Sequence, residues 1–138
     1  MLKLPESDRT LLLRTDYSDD AAWAELCRLV EAPYKDGFRA YLTFVNEPEL
    51  AGKSLEDLVA LVEGGGYHSF FFVADRAAIQ GPEHAVIAID LVEQHGKTFR
   101  VAPAYMWSVE NNLSLANMDF SEFADHVDAG GVFRGFEE

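Results

Sequence analysis

The sequence predicts an α/β fold: a single domain on a mixed five-stranded sheet, its first three strands parallel in a βαβαβ series, then a β-hairpin and a helical C-terminal cap. Three observations predict it. Short runs rich in β-branched and aromatic residues, "TLLLR", "FRAYLTFV" and "SFFFVAD", alternate with stretches whose apolar residues recur every three to four positions. "SFFFVAD" is nearly all apolar, as a strand covered on both faces of a parallel sheet requires. After Asp75 the rhythm breaks, because about ten residues separate it from the next strand, too few for another helical crossover.

The elements follow in order. Residues 10–15, "TLLLRT", predict the first strand, and "DYSDD" ends it with Ser18 or Asp19 placed to cap a helix through a side-chain oxygen. In that helix Trp23, Leu26, Cys27 and Val30 share one face, and Pro33 lies beyond its end. Residues 38–45 predict a second strand with Phe38, Ala40, Leu42 and Phe44 on one side. "NEPELAGK" is turn chemistry. Ser54 then caps a helix with Leu55, Leu58, Val59 and Val62 on one face, Glu56 and Asp57 at the positive end of its dipole, and Gly64 to Gly66 at its stop.

The third strand, 69–75, belongs at the centre of the sheet, and right-handed crossovers join the three. "RAAIQGPEH" predicts a short turn of helix or an antiparallel return, and the tight connection at Gly96 makes Val86 to Val101 a hairpin. Ser108 starts a short helix running to about Ala116. Asp119 and Glu122, a D-x-x-E relative of the capping box, open another with Phe120, Phe123, Ala124 and Val127 on its core face. Gly130 and Gly131 stop it, and "VFRGF" is apolar enough that Phe133 and Phe136 must dock.

A chain of 138 residues fits one domain. A domain of this size buries roughly 68% of the surface its unfolded chain exposes. The longest apolar runs, "FFFVA" and "AVIAI", fall far short of the ~20 residues that span a bilayer, and "MLKLPESDR" lacks a signal peptide's apolar segment, so the expected location is cytoplasmic with no membrane partner. A net charge of −13 argues against nucleic acid, whose phosphates require Lys and Arg. The natural opposite is a basic protein or a cation. Cys27 is the single cysteine, so an internal disulfide is excluded and a buried thiol expected.

Carboxylates gather at predicted strand ends: Asp16, Asp19 and Asp20 after the first strand, Asp75 after the third, Asp90 near the end of the fourth. Ligands bind at the carboxyl edge of open α/β sheets, so Asp16 and Asp75, with Asp19 and Asp20, form a candidate Mg²⁺ site laid out like that of receiver domains and some phosphohydrolases. Aspartates at such places also serve as helix caps and turn residues. No other cofactor is expected: the four histidines lack zinc spacing, and P-loop, G-x-G-x-x-G and G-x-S-x-G motifs do not occur. Arg14 and Arg100 interrupt strands with charges that either pair with Asp16 or Asp90 or hold an anionic ligand. In "WSVENNLSLANMDF", Asn111, Asn112 and Asn117 either satisfy carbonyls and helix ends or form, with Trp107, a recognition surface of aromatic anchor and adaptable amides.

That segment, with "LLLRTDYSDDAAW" near the start and "GVFRGF" at the end, resembles a bacterial domain-of-unknown-function family of about this length. Its members typically carry a run matching Trp107 to Phe120, with a phenylalanine and acidic residues after it. The resemblance spans nearly the whole chain and implies one bacterial, cytoplasmic domain, with no assigned activity and no catalytic residues to carry over. Two function classes follow from the residues. The first is a non-catalytic protein-binding module, immunity-like or regulatory, steered by its acidity to a basic partner. The second is a Mg²⁺-dependent phosphoryl-transfer or receiver-like domain using the carboxylates at the strand ends.

Overall fold

The computed structural model describes residues 3–136. Its strands are β1 (Thr10–Arg14), β2 (Leu42–Val45), β3 (Phe70–Ala74), β4 (Val86–Asp90), β5 (Thr98–Val101) and β6 (Val132–Phe133). Its α-helices are α1 (Asp20–Glu31), α2 (Leu55–Gly64), α3 (Arg76–Gln80), α4 (Met106–Ser114) and α5 (Phe120–Ala124). The strands form one mixed sheet in the order β2-β1-β3-β4-β5-β6. β1 pairs in parallel with β2 and β3, β4 returns antiparallel to β3, and β4–β5 is the expected hairpin. Between β3 and β4 the chain makes both a short helix and an antiparallel return.

The sheet has six strands where the sequence predicts five. The sixth is the "VF" of the C-terminal run, which lies parallel to β5 as Arg100 N donates to Gly131 O and Ala102 N to Phe133 O. A two-residue strand displays no alternation, so periodicity does not reveal it. The Asp128 carboxylate turns the chain into it by accepting from Gly130 N and Val132 N, and Gly131 supplies the left-handed φ of 82°. β2 also begins later than predicted. Asp36 and Gly37 adopt φ of 62° and 81° in the turn before it, and Phe38, predicted on the core side, is instead 48% exposed and stacks on Trp107.

Alternation on the pleat sorts the apolar residues into two cores. Leu12, Phe70, Phe72 and Phe99 face one side with Trp23, Leu26 and Val30 of α1. Leu11, Leu13, Phe71 and Val73 face the other with Leu58 and Val62 of α2. Both faces are covered, which is the physical reason for the nearly unbroken apolar runs of β1 and β3. Burying each such side chain stabilises the fold by about 1.5–3 kcal/mol. Because α1 and α2 lie on opposite faces, the crossovers diverge between β1 and β3, making their C-terminal ends the topological switch point. The C-terminal third joins the α1 face, where the Phe99 ring meets those of Phe120 at 4.9 Å and Phe123 and Phe133 at 6.4 Å. Asp19 caps α1, Ser54 caps α2, and Asp119 with Glu122 forms a reciprocal box at α5.

Candidate functional site

At the switch point Arg14 ends β1 inside the protein, 2% exposed. Its Nε donates to the backbone O of Asp16 at 2.8 Å, and Nη2 donates to Asp20 Oδ1 at 2.8 Å. Its guanidinium lies 4.2 Å from the Tyr17 ring centroid and 5.4 Å from that of Trp23. Asp16 therefore meets Arg14 through its backbone, while its carboxylate accepts from the Ser18 hydroxyl. Asp19 accepts from Ala22 N as the α1 cap.

Across the edge, Asp75 caps α3 by accepting from Ala78 N and receives both Nη atoms of Arg100, at 3.0 and 2.7 Å. Burial pushes the Asp75 carboxyl up, but the Arg100 hydrogen bonds, the Ala78 N–H and the Arg100 charge together hold it below the usual carboxylate range. Arg100 Nη1 also donates to Ala85 O. Asp90 is turned into the β4–β5 connection, accepting from Val92 N and Gln94 N. Asp16, Asp19, Asp20 and Asp75 are thus each engaged by partners of their own. Among the described residues no group of three or more His, Cys, Asp or Glu is placed to hold a metal ion. Cys27 is partly buried, and burial with the nearby Glu31 charge pushes its thiol up to about 12, so it stays protonated at neutral pH.

The amide-rich segment forms α4. The Trp107 ring is held between Tyr34 and Phe38, with centroids 5.4 and 5.0 Å away. Asn111 Nδ2 donates to Arg39 O and to Glu110, and Asn112 Nδ2 to Ser108 O. Asn117 is exposed, and its backbone N donates to Asn112 O. Glu110, buried and unmarked by sequence reasoning, ties the helix to the sheet: its carboxylate accepts from Tyr41 N at 2.9 Å and from the Ser114 hydroxyl at 2.6 Å. Asn111 and Glu110 thus tie α4 to the segment leading into β2, while the Asn112 amide bonds within the helix.

The open surface lies beyond the last turn of α4, at the edge of the sheet opposite the switch point. A groove of about 320 Å³ runs between the start of β3, the end of β4 and the α4–α5 link, with Phe70, Leu113, Met118 and Phe120 among its walls. Tyr67 at 83% exposure and Val92 at 55% stand at it, and Leu115, 70% exposed, sits between the lining residues Ser114 and Ala116. Asp90, Glu93 and Asp119 add negative charge to the same walls. Burial lowers His68, beside Tyr67, below its ordinary value, which favours its neutral form. Sequence reasoning missed Tyr67, Val92 and Leu115. The one local signal was Leu115, which falls outside the apolar stripe of its helix.

No curated protein matches this chain. A family described as a domain of unknown function, DUF6924, matches residues 9–136, and the chain belongs to that family.

Proposed function

We propose that this chain is a non-catalytic protein-binding module of the bacterial cytoplasm, immunity-like or regulatory, that docks a basic partner in the groove at the end of α4. The observation that carries the reading is the pairing of three exposed apolar side chains, Tyr67, Val92 and Leu115, with a wall containing Asp90, Glu93 and Asp119. Large apolar and aromatic side chains left in water at a concave site supply the buried anchors of an interface. The exposed carboxylates Glu93 and Asp119 favour Lys and Arg on the partner, and the net charge of −13 accelerates encounter. No helix among the described residues is long and apolar enough to cross a membrane.

The test uses the immobilised full chain and its Tyr67→Ser/Leu115→Ser variant in a bacterial lysate at low and high salt. The expected result is one basic protein retained by the parent at low salt and lost both in high salt and with the variant. Equal retention by the variant, or retention of nothing, overturns the proposal.

A further inference from the structure

The other end of α4 borders a second concavity with a different chemistry. It measures about 560 Å³ and has Tyr34, Lys35, Tyr105, Trp107, Ser108 and Phe136 among its walls. No carboxylate lines it among the described residues, in a chain with 24 acidic and 11 basic side chains. We propose that this cavity binds a small organic anion with a planar apolar body, such as an aromatic carboxylate.

Four observations support the assignment, and none depends on the groove. First, the walls are aromatic: Tyr34 and Tyr105 lie with centroids 5.5 Å apart, and Tyr34 stacks on Trp107. Flat, apolar surfaces of this kind take a planar ligand by burial and by offset or edge contact. The Trp107 contribution is its ring, because Nε1 is sealed from solvent with no hydrogen-bond partner.

Second, Ser108 is buried and lines the cavity, yet its hydroxyl forms no hydrogen bond; only its backbone O is engaged, by Asn112 Nδ2. The hydroxyl is not sealed from solvent, since Trp107 Nε1 is the one buried side-chain N or O without a partner among the described residues, and a hydroxyl open on the cavity with no protein acceptor is free to donate to a ligand acceptor. Third, Lys35 stands at the wall with its Nζ 5.9 Å from the Tyr34 ring and no salt bridge to any described carboxylate. Arg134 also lines the cavity, but Glu83 and Asp128 hold its guanidinium, and neither of those residues reaches the walls. Lys35 is thus the cation available to an anionic head. Fourth, the floor requires a glycine. Gly135 has φ of 92°, and a Cβ there would fall 2.8 Å from Tyr105 Cε1, so the wall is built from backbone packed directly on the Tyr105 ring, where any side chain would displace the ring.

The test is calorimetric titration of the full chain with benzoate, indole-3-carboxylate, neutral benzyl alcohol and inorganic phosphate, with the Trp indole N–H signals followed by NMR. At least one aromatic carboxylate is expected to bind saturably in the millimolar range or tighter, with benzyl alcohol and phosphate each weaker by about tenfold or more. Ser108→Ala and Lys35→Gln are each expected to weaken the carboxylate about fivefold, with unchanged thermal unfolding. Absence of saturable binding by both carboxylates, equal binding of benzyl alcohol, or indifference to both substitutions overturns the proposal.

Discussion

The switch point of the sheet and the two ends of α4 are both rich in polar and aromatic residues, but they differ in what those residues are doing. At the C-terminal ends of β1 and β3, Asp20 meets Arg14, Asp75 meets Arg100, Asp19 caps a helix and Asp16 holds Ser18. At the ends of α4, Tyr67 and Leu115 stand in water, Ser108 has an unpaired hydroxyl, and Lys35 faces a cavity that no carboxylate lines among the described residues. The first region has the composition of a site and the bonding of a scaffold. The second has the reverse. A cluster of functional residue types is therefore weaker evidence for a site than side chains whose bonding or burial is incomplete.

The sharpest break of this comparison is at Arg14. Replacing it with Ala leaves the Asp16 carbonyl and the Tyr17 and Trp23 rings without their partner, and should lower unfolding free energy by about 3 kcal/mol in urea titrations. A chain that keeps parental stability would free Arg14 for ligand binding and dissolve the contrast.

Arg100→Ala is the next test, with an expected loss of about 1–2 kcal/mol at pH 7. Its pH dependence has a definite sign. The Asp75 carboxyl titrates lower folded than unfolded, so its stabilisation is fully present above the unfolded value of roughly 3.9 and is lost as pH falls through the lower folded value. Acid unfolding below about pH 4 should therefore be steeper in the parent than in Arg100→Ala. Equal slopes would remove Asp75 from the scaffold.

On the α4 side the expectation inverts. Tyr67→Ser and Leu115→Ser remove exposed groups and should change stability by less than about 0.5 kcal/mol while abolishing partner retention. A loss near that of Arg14→Ala would make these residues structural. The smallest effect concerns Mg²⁺, which should leave the melting temperature unchanged at millimolar concentration, since Asp16, Asp20 and Asp75 already have separate partners. A rise that Asp16→Ala and Asp75→Ala each abolish would return the site to the sheet edge.

What the sequence by itself determined acts within a turn or two of chain. The caps at Asp19, Ser54 and Asp119 were legible because a side-chain oxygen reaches an N–H two or three residues on. The buried strands β1 and β3 and the β4–β5 hairpin were legible because apolar pattern and turn glycine are local signals. Tertiary structure alone decided that Arg14 takes the Asp20 carboxylate rather than that of Asp16, that Val132–Phe133 becomes a strand, and that Tyr67 and Val92 line one groove with the residues on either side of Leu115. Those outcomes depend on which distant segments the packed sheet brings together, and no pattern along the chain encodes a contact between residues that share neither a turn nor a helix face.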